Sequence, residues 1–155
     1  MKDSLIWKNY GKYMKNQPFD FHGSQFTIKV LTSESNDRYT ILDVLHAPNI
    51  GPAEHQHPAG PETFCIVEGN YEFFLNGEPI NAKAGDVVCV PTGALHRFVT
   101  GQNGGHVIVI CPPNLEFYFW EVSKLLAKGD VSFEQESEIA KKYGQIFLDG
   151  SQHWG

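Results

Sequence analysis

His55 and His57 stand two residues apart, Glu62 follows five residues later, and a third histidine, His96, lies further along the chain. Imidazole nitrogens and carboxylate oxygens are the donors that divalent transition metals take from proteins. On an extended strand, residues i and i+2 project to the same face, so His55 and His57 point together. The Pro58-Ala59-Gly60-Pro61 break lets the chain turn before Glu62 enters the next strand. A second turn at Pro91 and Gly93 precedes His96, which opens a strand with its side chain inward. These four side chains are expected to converge on one point. A buried polar group without a partner costs about 1–3 kcal/mol, so a fold has little reason to collect four of them unless they hold a metal. Three neutral imidazoles and a carboxylate suit one divalent ion of Fe, Mn, Ni, Co, Cu or Zn, and an octahedral shell would leave two positions open. A structural zinc site would be closed and rich in Cys, whereas Cys65, Cys89 and Cys111 lie far apart without a CxxC pair.

The elements that must position these residues are short strands. Phe26 to Leu31 alternates apolar and polar residues, and Tyr39 to His46 carries apolar residues on both faces. Further runs are expected at Thr63–Glu68, Tyr71–Leu75, Asp86–Val90, His96–Thr100 and Val107–Ile110, each bounded by Gly, Pro or Asn. Asn76-Gly77 is a hairpin signal, because a type I′ turn needs positive φ at both central residues. Short strands at regular spacing with no helix between them predict an all-β sandwich or closed barrel. After Pro112-Pro113 the period becomes helical. Asn114 is expected to cap a helix with Leu115, Phe119, Val122 and Leu126 on one face, and Ser132 with Gln135 reads as a capping box for a second helix carrying Ile139 and Tyr143. The acidic run Glu134, Glu136, Glu138 is expected to be a solvated helix start. Residues 1–155 read as one domain, with the barrel at about 19–111 and a helical extension at about 114–148.

Composition narrows the partners. The chain of 155 residues has 12 Lys plus Arg against 18 Asp plus Glu, and its two arginines are Arg38 and Arg97. A sequence-independent nucleic-acid binder needs a cationic groove, and none is expected here. The odd, scattered cysteines read as reduced thiols of a cytoplasmic protein, with Cys65 and Cys89 buried as small apolar groups. The leading segment is too polar for a signal peptide, and no apolar run approaches a membrane span.

The two histidine-bearing stretches resemble the cupins. Their first motif, HxHx4Ex6G, is matched by His55, His57, Glu62 and Gly69, and their second, Gx5PxGx2H, by Gly85, Pro91, Gly93 and His96. The fifteen residues between Gly69 and Gly85 match the short spacing of bacterial single-domain members. Asn49 stands where the family usually has a glycine, and Thr100 where it has an asparagine. Neither position is a metal ligand in the family. The Phe19 to Gly23 segment and the tail from Phe117 to Leu148 are similar to bacterial single-domain cupins labelled quercetin dioxygenase-like.

The resemblance implies a jelly-roll antiparallel β-barrel that binds a metal at His55, His57, Glu62 and His96, and a homodimer paired through outer sheet faces. It also implies that Glu62 acts as a catalytic base in an oxygen-dependent reaction on a flavonol-like or small enolisable aromatic compound. Two other readings stay open: a metal-dependent isomerase of a small polyol or sugar, and a non-catalytic binder of a small molecule. From strand parity, Phe64, Ile66, Phe98 and Thr100 are expected to line the pocket. Phe117, Phe119 and Trp120 are expected on the outside of the barrel or at a dimer contact, with closure of one barrel mouth as the alternative. His22, His46, His106 and His153 lack ligand spacing and are expected to be surface or hydrogen-bonded structural residues. Glu54 should face away from the centre.

Overall fold

The computed structural model describes residues 14–155. The leading segment read above as too polar for a signal peptide lies almost wholly outside them. Nine strands follow: β1 (Phe19–Phe21), β2 (Ser24–Val30), β3 (Thr40–His46), β4 (His55–Gln56), β5 (Glu62–Leu75), β6 (Glu78–Lys83), β7 (Val87–Val90), β8 (His96–Cys111) and β9 (Ile146–Phe147). Helices α1 (Leu115–Leu126) and α2 (Phe133–Lys142) lie between β8 and β9. Among the described residues, no helix is long and apolar enough to cross a membrane.

All the strand pairs are antiparallel, and two long strands organise them. The later part of β8 (105–111) lies between β3 and the start of β5, whereas its first part (96–100) pairs with the end of β5. On the outer flanks β5 pairs with β7 near its start and with β6 near its end. The result is a single curled sheet in which β5 and β8 each serve both walls. The two predicted strands at Thr63–Glu68 and Tyr71–Leu75 are therefore one strand, as are those at His96–Thr100 and Val107–Ile110. Register shifts between Ile66 and Glu68 and between Gly69 and Tyr71 switch the buried parity from Phe64 and Ile66 to Tyr71 and Phe73 without ending the strand. Such a bulge bends a strand while its neighbours stay paired.

Gly69 makes that bend possible. Its φ is +91°, and a Cβ there would stand 2.5 Å from the Gly104 carbonyl oxygen and 2.8 Å from the Gly105 Cα. Two backbones touch at this corner, so the residue can carry no side chain. The Asn76-Gly77 turn has φ of 49° and 83°, and it joins β5 to β6 by two residues, as its sequence predicts.

The core fills the barrel with Phe26, Ile28, Leu42, Val44, Phe64, Ile66, Phe73, Phe98, Val107 and Val109. Parity leaves Cys65 partly exposed and Cys89 exposed, which corrects their reading as buried groups. They alternate with inward Phe64, Ile66, Val88 and Val90. Cys111 is the buried thiol.

The helices depart from expectation in three ways. Asn114 does not cap α1 with its side chain: it sits at φ 78°, and its N–H donates to the Thr32 hydroxyl at 2.8 Å. Glu116 accepts from the Thr32 N–H and hydroxyl at 2.5 and 2.7 Å, so the turn after β2 fixes the start of the helix. The face of α1 that is fully buried carries Leu115, Tyr118 and Val122, with Phe119 and Leu126 partly buried beside it. Ser132 caps α2 as expected, accepting from the Gln135 N–H at 3.1 Å. Glu136, expected to be solvated, is 1% exposed. Gly69→Ala should cost about 1–3 kcal/mol or more, since it adds backbone strain and a steric clash at the corner. Urea unfolding of the variant would measure it, and an unchanged midpoint would contradict the close-approach account.

Candidate metal centre

Strand starts deliver three of the four candidate ligands. His55 opens β4, Glu62 opens β5 and His96 opens β8, while His57 follows directly after β4. His55 pairs with His96 across the ladder. All four are buried, and each offers a donor atom within 4.8 Å of the others. His57 Nε2 stands 3.4 Å from Glu62 Oε2, and His96 Nε2 stands 3.2 Å from Glu62 Oε1. Adjacent ligands of an octahedral ion with bonds of about 2.1 Å are about 3 Å apart, so this spacing fits one ion.

The backbone decides which nitrogens face inward. His55 Nδ1 donates to the Ala53 carbonyl at 2.8 Å, and His96 Nδ1 donates to the Ala94 carbonyl at 2.9 Å. A neutral ring that donates from Nδ1 carries its lone pair on Nε2. The His96 lone pair then faces a carboxylate oxygen, two acceptors that repel one another without a cation among them. His57 is 2% exposed, and neither of its nitrogens has a hydrogen-bond partner. Orphaned buried nitrogens and opposed acceptors are what a metal-ligand set looks like when its protein groups alone are counted. The residues fit a divalent cation.

Charge supports the same donor set. Burial first, then the neighbouring His96 and His57 rings, pushes His55 well below the usual imidazole range and keeps it neutral. Burial pushes the Glu62 carboxyl up, but positive charge on the facing His57 and His96 nitrogens outweighs it and holds the group well below the usual carboxylate range, so the carboxylate favours a positive centre opposite it over two bare lone pairs.

Residues 44–118 match the family model of the cupin domain. The chain has the cupin fold. Solved structures share its fold. KdgF from Halomonas sp. superposes with a TM-score of 0.57 at 22% identity, covering 65% of this chain and 90% of that one. An RmlC-like cupin from Shewanella frigidimarina gives 0.57 at 20% identity, covering 66% and 88%. A predicted oxalate decarboxylase from Thermotoga maritima gives 0.53 at 17% identity, covering 65% and 95%. At these identities the likeness is one of fold. No curated protein matches the sequence.

His55 and Glu62 form part of the wall of a narrow cavity inside the barrel, about 420 Å³ with its open end included. Phe64 and Phe98 line it, as parity predicts. Ile66 and Thr100 are not among its lining residues. Ile66 is packed in the core, and the Thr100 hydroxyl donates to the Ala47 carbonyl at 2.7 Å and accepts from the Ile50 N–H at 3.0 Å, pinning the loop before β4. Phe119 lines it too, and so do residues that carried no sequence signal for the site, among them Cys111, Gln145 and Trp154. Phe119 thus belongs to the cavity rather than to the outside of the barrel. Trp120, half-buried, meets Phe19 of β1 edge-on at 5.2 Å. Cys111 stands beside Glu62, and burial together with that carboxylate pushes its thiol well up, so it stays neutral.

The other histidines have partners. His106 Nε2 lies 2.6 Å from Asp43 Oδ1, and His22 and His153 each meet Glu136 at 2.7 Å. His46, also on the cavity wall, shares a hydrogen bond of 2.8 Å with the Tyr71 hydroxyl.

Burial pushes His46 down from the usual 6.5 to about 3. On acidification the unfolded chain takes up this proton near pH 6.5 while the folded chain refuses it until about pH 3, so His46 lowers stability as pH falls through that window. His46→Gln should therefore flatten the loss of stability between pH 6.5 and 4, measured by urea unfolding at each pH. An unchanged slope would show that His46 is not held neutral.

Proposed function

We propose that this cupin holds one divalent transition-metal ion on His55, His57, Glu62 and His96 and catalyses an oxygen-dependent reaction of a compact, largely apolar compound with an enolisable oxygen. The observation that carries the reading is the cavity itself: two of the four donors open onto a space walled by Phe26, Leu42, Val44, Phe64, Phe98 and Val109. A bound ion would act as a Lewis acid on a substrate oxygen and lower its pKa.

The chain's own groups supply the rest. Glu62 presents an ionised carboxylate to the cavity, where it can take the proton that enolisation releases. The aromatic walls exclude water and would hold substrate and dioxygen side by side, making their encounter effectively intramolecular. His55 and His96, tied to backbone carbonyls, keep their rings from turning. The narrowness of the cavity favours an enolisable compound smaller than a flavonol. Its apolar walls favour this reading over a polyol isomerase, because each buried hydroxyl of a polyol needs a hydrogen-bond partner.

Metal analysis of untagged protein should find about one ion per chain, and protein loaded separately with Fe, Mn, Ni and Co should consume oxygen with at least one small enolisable compound or flavonol. Glu62→Gln should lower turnover by about 10²–10⁴-fold, far more than it lowers metal content measured on the same sample. No oxygen uptake with any metal and substrate, or activity lost only in proportion to metal, would overturn the proposal.

A further inference from the structure

The segment that carries His55 has little sheet of its own. β4 is two residues long and meets β8 at the single pair His55 with His96. The C-terminal tail supplies its other neighbour. β9 pairs Phe147 with His55 and Ile146 with Gln56. The Leu148 N–H donates to the Glu54 carbonyl at 3.0 Å, and the Trp154 N–H donates to the Gly51 carbonyl at 2.6 Å. Between these backbone bonds lies one made by a side chain: the Ala53 N–H donates to His153 Nδ1 at 3.0 Å. The carbonyl of the same Ala53 accepts from His55 Nδ1.

His153 is fixed in turn. Accepting at Nδ1, its neutral ring carries the proton on Nε2, which donates to Glu136 Oε2 at 2.7 Å. Glu136 also accepts from the Tyr118 hydroxyl and meets His22 Nε2, both at 2.7 Å. His22, Glu136 and His153 have the donor types of a second metal site, but both His153 nitrogens are already used in hydrogen bonds. The group is a fastening. It ties the β1–β2 turn, α1, α2 and the tail to a single carboxylate, and the tail's histidine passes that constraint to Ala53. Ala53 is 1% exposed, so without His153 its N–H would be buried without a partner, and the segment would shift to recover one.

We propose that His153 is a positioning residue for the metal centre: by holding Ala53 it aims the carbonyl that orients His55, and so aims the His55 Nε2 lone pair at the ion. The inference rests on the metal reading of His55, His57, Glu62 and His96. Groups that orient a ligating histidine typically change metal affinity by about 10–100-fold when replaced.

The test is a cobalt titration of the full-length, metal-free protein against a competing chelator, with the visible absorption of the bound cobalt recorded. His153→Phe keeps a ring between Phe133 and Phe147 but removes both hydrogen bonds. His153→Asn places an amide oxygen where Nδ1 stands. Phe at this position should weaken cobalt binding by about 10-fold or more and alter the absorption bands, and Asn should recover most of both. If His153→Phe fails to fold, His153→Gln, which can keep the donor to Glu136 while dropping the acceptor for Ala53, gives the same contrast with Asn. Unchanged affinity and spectrum in the Phe or Gln variant would overturn the inference, as would an Asn variant as weak as the others. Wild-type protein that binds no cobalt would bring down the metal reading itself, a failure visible before any substitution is made.

Discussion

Three imidazoles and a carboxylate aimed at one another inside an apolar barrel are costly to the fold. Each has lost water, and two of the inward nitrogens belong to rings whose protons the backbone holds on the far side. Opposed acceptors in a low-dielectric interior repel. Only the stiffness of the surrounding sheet keeps them in place, and a shared cation would relieve the cost. Much of the architecture serves that arrangement. Three of the candidate ligands sit at the first residues of strands, where the ladder on one side anchors the backbone and the turn on the other lets the side chain point inward.

The two long strands make such a point of convergence available. β5 and β8 pass through both walls of the barrel, so Glu62 and His96 are carried on strands that pair with each other. A rigid corner is needed wherever these strands cross from one wall to the other. At Gly69 the backbone of β5 approaches Gly104 and Gly105 of β8 so closely that a methyl group would collide. The last residue of the first histidine motif is thus a structural requirement, placed seven positions from a ligand because that is where β5 must bend.

The tail does more than cover the barrel. It gives β4 a strand neighbour, contributes Trp154 to the cavity wall and ends in contacts to the carboxylate of α2. An acidic residue at a helix start ordinarily faces solvent and the helix dipole. Glu136 instead turns inward because His22, Tyr118 and His153 surround it. Burial pushes its carboxyl up, but the hydrogen bonds from His153 and His22 outweigh that and hold it at about 2.

Local spacing and alternation were enough to read the candidate ligands His55, His57, Glu62 and His96, the Asn76-Gly77 hairpin, the β-rich class and the two closing helices. Each of these depends on residues close together in the chain, and i to i+2 alternation or a turn's φ requirement is written in a few consecutive letters. Phe64 and Phe98 were legible for the same reason, being two residues beyond a ligand on the same strand face. Tertiary structure decided the rest. Ile66 and Thr100 share that parity but lie too far along curving strands to reach the cavity. Cys111, Phe119, Gln145 and Trp154 reach it from segments distant in sequence, and His153 meets Ala53 across a hundred residues. Contacts of that kind arise from how a curled sheet and its closing tail pack in three dimensions, and no local pattern along the chain encodes them.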